Sequence, residues 1–105
     1  INLGYSYLMI GKYDKADAVF ESVLSGSAKT DRAIIDALRA LSVAAVFRGE
    51  MATARERFMK MIEIDPKASV EVLMRRYHVW KDQAFLKQFL DALRALGLPE
   101  KLPDA

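Results

Sequence analysis

The stretches LGYSYLMIGKYDKADAVFESVL (residues 3–24) and LSVAAVFRGEMATARERFMKMIEIDP (residues 41–66) decide the fold of this chain. When one stretch is shifted by 38 residues onto the other, three pairs coincide: Gly11 with Gly49, Ala16 with Ala54, and Phe20 with Phe58. In both stretches the apolar residues recur three and four positions apart, which is the spacing of an amphipathic α-helix. The sequence therefore predicts two repeated helical hairpins over residues 1–66.

Helical spacing continues through the rest of the chain, and no segment alternates between apolar and polar residues as a strand does. The fold class predicted is all-α, with helices at 1–10, 14–25, 31–48, 51–64, 69–77 and 82–96. Local signals mark the ends of these helices. The expected first residues or caps are Asp14, Thr30 or Asp31, and Asp82, and the expected stops are Gly11, Gly49, Pro66 and Gly97.

Composition excludes several classes of protein. The chain of 105 residues is 52% hydrophobic and 29% charged, which is typical of one globular domain. It contains no cysteine, so disulfides, thiolate zinc sites and cysteine nucleophiles are ruled out, and a cytoplasmic location is predicted. No apolar stretch approaches the roughly 20 residues of a membrane span. A net charge of only +2 argues against a nucleic-acid partner.

Individual residues do not form a pattern that predicts catalysis, a metal site or a cofactor. His78 is the one histidine and has no spaced ligand partner. The carboxylate pairs Asp14/Asp17 and Glu63/Asp65 fit helix ends better than acid–base chemistry. Basic and aromatic residues alternate in one segment, where the rings are expected to pack the short fifth helix rather than bind nucleic acid: Arg75, Arg76, Tyr77, Trp80 and Lys81.

The repeated positions resemble the tetratricopeptide repeat family, whose pattern combines L-G-x₂-Y with A-x₃-F at a period of about 34 residues. The matching residues of the first hairpin are Leu3, Gly4, Tyr7, Ala16 and Phe20. Those of the second are Leu41, Ala54, Phe58 and Pro66, with Ser42 and Ala45 standing where the family has glycine and tyrosine. The resemblance covers residues 1–66.

This resemblance implies a short right-handed solenoid of stacked hairpins that binds a protein or peptide in its concave face. The family's groove positions fall on Tyr5, Leu8, Met9, Asp36, Arg39, Val43, Val46 and Phe47. Two alternatives stay open: ordinary core packing for the apolar members, and an i,i+3 ion pair for Asp36 and Arg39. The chain does not begin with Met and begins inside a predicted helix, so we expect an uncovered apolar patch of Ile1, Leu3, Tyr5 and Leu8 that permits self-association.

Residues 67–98 do not continue the repeat and are predicted to form a short helix and a capping helix, followed by a flexible tail at 99–105. The capping helix is expected to close the solenoid against Phe58, Met61 and Ile62, through its own stripe of Leu86, Phe89, Leu90, Leu93 and Leu96. The segment LRALGLPE (93–100) resembles the closing segment of bacterial proteins that join tetratricopeptide repeats to a class III nucleotide cyclase domain. That resemblance implies an alternative function, a regulatory or dimerisation region of a signalling enzyme whose catalytic domain lies outside this chain.

Overall fold

The computed structural model describes residues 2–26 and 30–102, apart from the side chain of Asn2, and within those ranges it is all-helical with no strand. The helices are α1 (Asn2–Met9), α2 (Tyr13–Ser25), α3 (Asp31–Phe47), α4 (Met51–Ile64), α5 (Val70–Tyr77) and α6 (Gln83–Ala95). The all-α prediction is confirmed, and each helix begins and ends within one residue of its predicted bounds. Ile1 of the expected apolar patch and residues 103–105 of the expected tail lie outside the described residues.

Three helices end in the same way, at a glycine with positive φ. In each case the amide that follows the glycine donates to the carbonyl five residues back: Lys12 to Tyr7, Glu50 to Ala45, and Leu98 to Leu93. This is the Schellman motif, which requires a left-handed residue that glycine adopts at little cost. Because Gly11 and Gly49 have φ of 79° and 80°, the two hairpins turn alike at an offset of 38 residues.

Helix starts follow the predicted capping residues with one exception. Thr30 Oγ1 accepts from the Ala33 amide at 3.1 Å, and Asp82 Oδ1 accepts from the Phe85 amide at 2.8 Å. The prediction that Asp14 caps α2 is wrong, since α2 begins at Tyr13 after Lys12. Only Lys12 lies between Gly11 and the first residue of α2, so Asp14 lies in the first turn of that helix and pairs with Arg48 instead.

The hairpins pack small residues against phenylalanines. Ala16, Phe20, Ala54 and Phe58 are all buried, as the repeat pattern predicts. Gly4 lies so close to Phe20 that a Cβ atom on it would be 2.6 Å from the ring atom Cζ. Helix α3 is the centre of the domain, because all nine residues from Ala37 to Ala45 are buried.

The last two helices close the domain on the side of the groove between α1 and α3. The apolar stripe of α6 is buried as expected, apart from partly buried Leu96. Helix α6 lies against the second hairpin as expected, but the helix of that hairpin nearest to it is α3 and not α4, which carries Phe58, Met61 and Ile62. The rings of Phe85 and Phe89 meet Phe47 and Tyr5, so aromatic contact determines where α6 lies.

The chain after α6 returns to the start of α5. Leu98 is buried, and the carbonyls of Pro99 and Glu100 accept hydrogen bonds from the amides of Val70 and Glu71, both at 2.9 Å. These amides belong to the first turn of α5 and have no acceptor inside their own helix. The first two residues of the predicted flexible tail are therefore held by backbone hydrogen bonds.

Replacing Gly4 by Ala tests the close approach of α1 and α2. We expect Gly4→Ala to lower the free energy of unfolding by about 1–3 kcal/mol, because the fully buried ring of Phe20 cannot move aside cheaply. Gly26→Ala is the matched control, since a Cβ there meets atoms no closer than 3.5 Å. Urea unfolding followed by circular dichroism measures both, and equal stability of the two variants would contradict the packing described.

Candidate interaction surfaces

The groove between α1 and α3 holds the residues that sequence analysis assigned to partner binding, and the chain itself covers most of them. Tyr5, Leu8, Arg39 and Val43 are buried. Asp36, Val46 and Phe47 are half-buried, and Met9 is exposed. Phe89 of α6 lies against Tyr5, and Tyr77 of α5 contacts Arg39, so in this conformation the groove is part of the core.

Aromatic rings from the C-terminal helices fill the groove. The ring of Phe89 lies 6.0 Å from that of Tyr5, 5.9 Å from that of Tyr77 and 5.4 Å from that of Trp80, each pair edge to face. Trp80 also stacks on Tyr77 with centroids 4.5 Å apart. Such pairs contribute about 0.5–1.5 kcal/mol each beyond the area they bury. The expected packing role of Tyr77 and Trp80 is confirmed, but the sequence did not indicate that their partner would be Tyr5.

Arg39 lies at the bottom of the covered groove with no exposed surface. Its Nη1 donates to Asp36 Oδ1 at 2.8 Å and to the Tyr77 hydroxyl at 2.9 Å. Its Nε and Nη2 are buried and have no hydrogen-bond partner among the described residues. The i,i+3 ion pair that sequence analysis kept as an alternative is present, and it joins α3 to α5 through Tyr77.

The pKa values of Arg39 and Tyr5 are both raised, which fixes the protonation states of these two groups near neutral pH. Burial opposes the charge of Arg39, but Tyr77, Asp36 and Tyr5 outweigh it, so the pKa of Arg39 is raised and the guanidinium stays protonated. Burial and then the neighbouring Tyr77 raise the pKa of Tyr5 well above its ordinary value of 10.0. Tyr5 therefore stays neutral beside the charged Arg39, and this arrangement is suited to structure rather than to proton transfer.

A second surface, on the outer side of the first hairpin, remains uncovered. We call it the front face and define it by Leu3, Tyr7, Ile10 and Val19. Leu3 is 57% exposed and Ile10 is 65% exposed, while Tyr7 and Val19 are half-buried. The predicted patch is thus partly right, since Leu3 is exposed, but Tyr5 and Leu8 are buried on the groove side of the same helix.

The repeat register shows what the front face corresponds to. Shifted by 38 residues, its members fall on Leu41, Ala45, Arg48 and Arg57. In the second hairpin all four are covered or paired. Leu41 is only 3% exposed and Ala45 is buried. The two arginines reach back to acidic side chains of α2: Arg48 to Asp14 and Asp17 at 2.6 and 3.1 Å, and Arg57 to Glu21 at 3.0 Å.

Outside these surfaces the described residues offer little for chemistry. Ranges 2–26 and 30–102 contain no group of three metal-ligating side chains. Within the same ranges no helix is long and apolar enough to cross a membrane. A cavity of about 310 Å³ opens beside the groove and is lined by Tyr5, Ser6, Met9, Trp80, Lys81 and Asp82. His78 is exposed and contacts the carbonyl of Arg75, so it joins no cluster of titratable groups.

Comparison of the chain with family models, with curated proteins and with solved structures found no match. Its surfaces, its repeat register and its buried groups are therefore the grounds on which a function is inferred.

The segment LRALGLPE (93–100) completes α6 and builds the turn after it. Arg94 Nε and Nη2 donate to the two carboxylate oxygens of Glu100 at 2.8 and 3.1 Å, and Nη1 donates to Asp91 at 2.8 Å. Hydrogen bonding from Arg94 lowers the pKa of Glu100. Together with Gly97 and buried Leu98, this pair fixes the return of the chain to α5, which is a structural reason for each of these residue types.

Removing either partner of the buried ion pair should have unequal effects. We expect Asp36→Ala to cost about 3 kcal/mol, at the low end for breaking a buried pair, because the Asp36 side chain is 20% exposed. We expect Arg39→Met to cost less, about 1 kcal/mol, because Asp36 keeps Arg32 at 3.5 Å and Arg76 at 4.0 Å. Denaturant unfolding of both variants measures the order, and the reverse order would contradict the argument that an unpaired Arg39 costs more than an unpaired Asp36.

Glu100 should make stability depend on pH in the acid range. Because folding lowers its pKa, the ionised form contributes stability above the ordinary carboxyl pKa, and that contribution is lost as pH falls through the folded pKa. Glu100→Gln should therefore be less stable than the parent at pH 7 and equal to it at pH 2. Glu63→Gln is the control, since Glu63 has no ion pair among the described residues. Thermal unfolding at a series of pH values measures this, and a constant difference would contradict it.

Proposed function

We propose that this chain is a protein–protein interaction module of the tetratricopeptide type and that its binding surface is the front face. The observation that carries the proposal is one comparison at equal register: Leu41 is 3% exposed, whereas Leu3 is 57% exposed. A surface that the second hairpin buries is thus presented to solvent by the first. Exposed apolar surface of this kind marks a site of association in soluble proteins.

The concave groove supports the same function less well. Phe85 and Phe89 of α6 lie against Phe47 and Tyr5 there, so an incoming peptide would have to displace buried rings. Burial of each large apolar side chain is worth about 1.5–3 kcal/mol, which makes displacement of α6 costly. The repeat type is supported by the small-to-large packing at Gly4 and Phe20. A cytoplasmic setting remains a prediction from composition.

Affinity capture with a matched pair of variants tests this proposal. Three immobilised forms of the full chain are exposed to an extract of its source cells: the parent, Leu3→Glu and Met59→Glu. Met59 is 57% exposed, equal to Leu3, and belongs to α4 of the second hairpin. We expect a protein that the parent and Met59→Glu retain and that Leu3→Glu retains at least about tenfold less.

The purified captured protein must then show the same pattern in a calorimetric titration, with unchanged circular dichroism for both variants. Capture that is indifferent to Leu3→Glu, or lost equally with Met59→Glu, would overturn the front face as the binding surface.

A further inference from the structure

The cavity beside the groove is lined by aromatic and thioether side chains and by two charged residues. We call it the Trp80 cavity, and its lining residues are Tyr5, Ser6, Met9, Trp80, Lys81 and Asp82. Its volume of about 310 Å³ lies at the low end of the range for small-molecule sites, which is about 300–1,000 Å³. The volume suits a ligand of the size of an amino acid.

The apolar wall of the Trp80 cavity is fixed in position on one side and adaptable on the other. The indole of Trp80 stacks on Tyr77 with centroids 4.5 Å apart, and the ring of Tyr5 meets it edge to face at 5.3 Å. Met9 is 41% exposed, although a large apolar side chain gains free energy by burial. A thioether adapts its shape to an aromatic ring and makes favourable contacts with it. This wall is therefore suited to a ligand that carries an aromatic ring.

The rim of the Trp80 cavity carries one charge of each sign. Lys81 and Asp82 are both exposed, and neither forms an ion pair within the described ranges. The carboxylate of Asp82 is nevertheless held in place, because its Oδ1 accepts from the Phe85 amide at 2.8 Å. Its other oxygen has no hydrogen-bond partner among the described residues. The rim therefore presents an unpaired acid and an unpaired base at adjacent positions.

Two larger cavities differ from the Trp80 cavity in this respect. In one of about 580 Å³, Lys60 lies 3.4 Å from Glu56. In another of about 650 Å³, Arg75 lies 2.9 Å from Glu71. The acid and base of each pair neutralise one another, and neither cavity offers an unpaired acid together with an unpaired base.

We propose that the Trp80 cavity binds a free α-amino acid with an aromatic side chain. The ammonium and the carboxylate of an α-amino acid are attached to the same carbon, which matches the adjacent positions of the two charged residues. The carboxylate pairs with Lys81 and the ammonium pairs with Asp82. The aromatic ring packs against Met9 and Trp80. A ligand with a single charge is attracted by one of the two charged residues and repelled by the other.

This inference goes beyond the proposed function, because none of the residues that line the Trp80 cavity belongs to the front face. Failure of the experiments below would leave the proposed function unaffected, and failure of the capture experiment would leave the amino-acid site unaffected.

Fluorescence of the single tryptophan measures binding, since Trp80 forms a wall of the cavity. The full chain is titrated with phenylalanine, which does not absorb at the wavelengths that excite tryptophan, and with two analogues of single charge. 3-Phenylpropionate lacks the ammonium, and phenethylamine lacks the carboxylate. We expect saturable binding of phenylalanine with a Kd on the order of 1 mM, and at least about threefold weaker binding of each analogue. No saturation up to the solubility limit of phenylalanine, or equal binding of either analogue, would overturn the proposal.

Two substitutions separate the roles of the charged residues. In Lys81→Gln, phenylalanine should bind no better than phenethylamine, and in Asp82→Asn it should bind no better than 3-phenylpropionate. Asparagine keeps the helix cap, because its side-chain oxygen accepts from the same backbone amide as that of aspartate. Lys67→Gln is the matched control, since Lys67 is exposed and lies outside the cavity. Preferences that persist in Lys81→Gln and Asp82→Asn, or that disappear in Lys67→Gln, would contradict the assigned pairing.

Nuclear magnetic resonance locates the ligand on the chain. The methyl resonance of Met9 should shift as phenylalanine is added and should give the same Kd as the fluorescence of Trp80. The methyl resonance of Met59 should not shift, although Met59 is more exposed than Met9, at 57%. Equal shifts of the two methyl groups would show general contact with exposed methionines and would overturn the Trp80 cavity as the site.

Discussion

Phe89 is the side chain on which the arrangement of the elements depends. It is fully buried on α6, and its ring contacts Tyr5 on α1, Tyr77 on α5 and Trp80 in the connection between α5 and α6. Two hairpins by themselves would leave a groove of apolar side chains open along α1 and α3. The aromatic cluster closes that groove from within the chain, and the positions of α5 and α6 follow from this closure.

The buried ion pair is a consequence of the same closure. Covering the groove takes Arg39 out of water, where Asp36 and Tyr77 satisfy one of its nitrogens while two others have no partner among the described residues. An unsatisfied buried donor costs about 1–3 kcal/mol. Each buried aromatic or leucine side chain of α6 contributes about 1.5–3 kcal/mol, and several are buried together. The free energy gained by burying these apolar side chains therefore exceeds the cost of the unsatisfied donors of Arg39, and α6 stays packed over the groove.

The sequence predicted what local signals determine and missed what depends on distant surfaces. Helix bounds came out within one residue because Gly11, Gly49, Thr30 and Asp82 act through their own turns. The groove positions were correctly assigned to one side of α1 and α3, but their burial was not predicted. The apolar stripe of α6 shows that this helix packs against something, but it does not show which surface of the domain it covers. The prediction that Asp14 caps α2 was wrong because an N-cap residue must lie before the first helical residue. The Schellman motif at Gly11 is complete at Lys12 and α2 begins at Tyr13, so Asp14 already lies inside the helix.

Corresponding positions of the two hairpins differ in charge, and this difference bears on binding. Between the hairpins, Arg48 and Arg57 meet carboxylates of α2 at partly exposed positions, where ion pairs contribute little stability but oppose wrong partners by leaving charges unmatched. The front face has isoleucine and valine at the corresponding positions, so the association proposed for it gains from apolar area and not from charge. The specificity of that association then depends on shape, because apolar side chains discriminate between partners by how well they interdigitate.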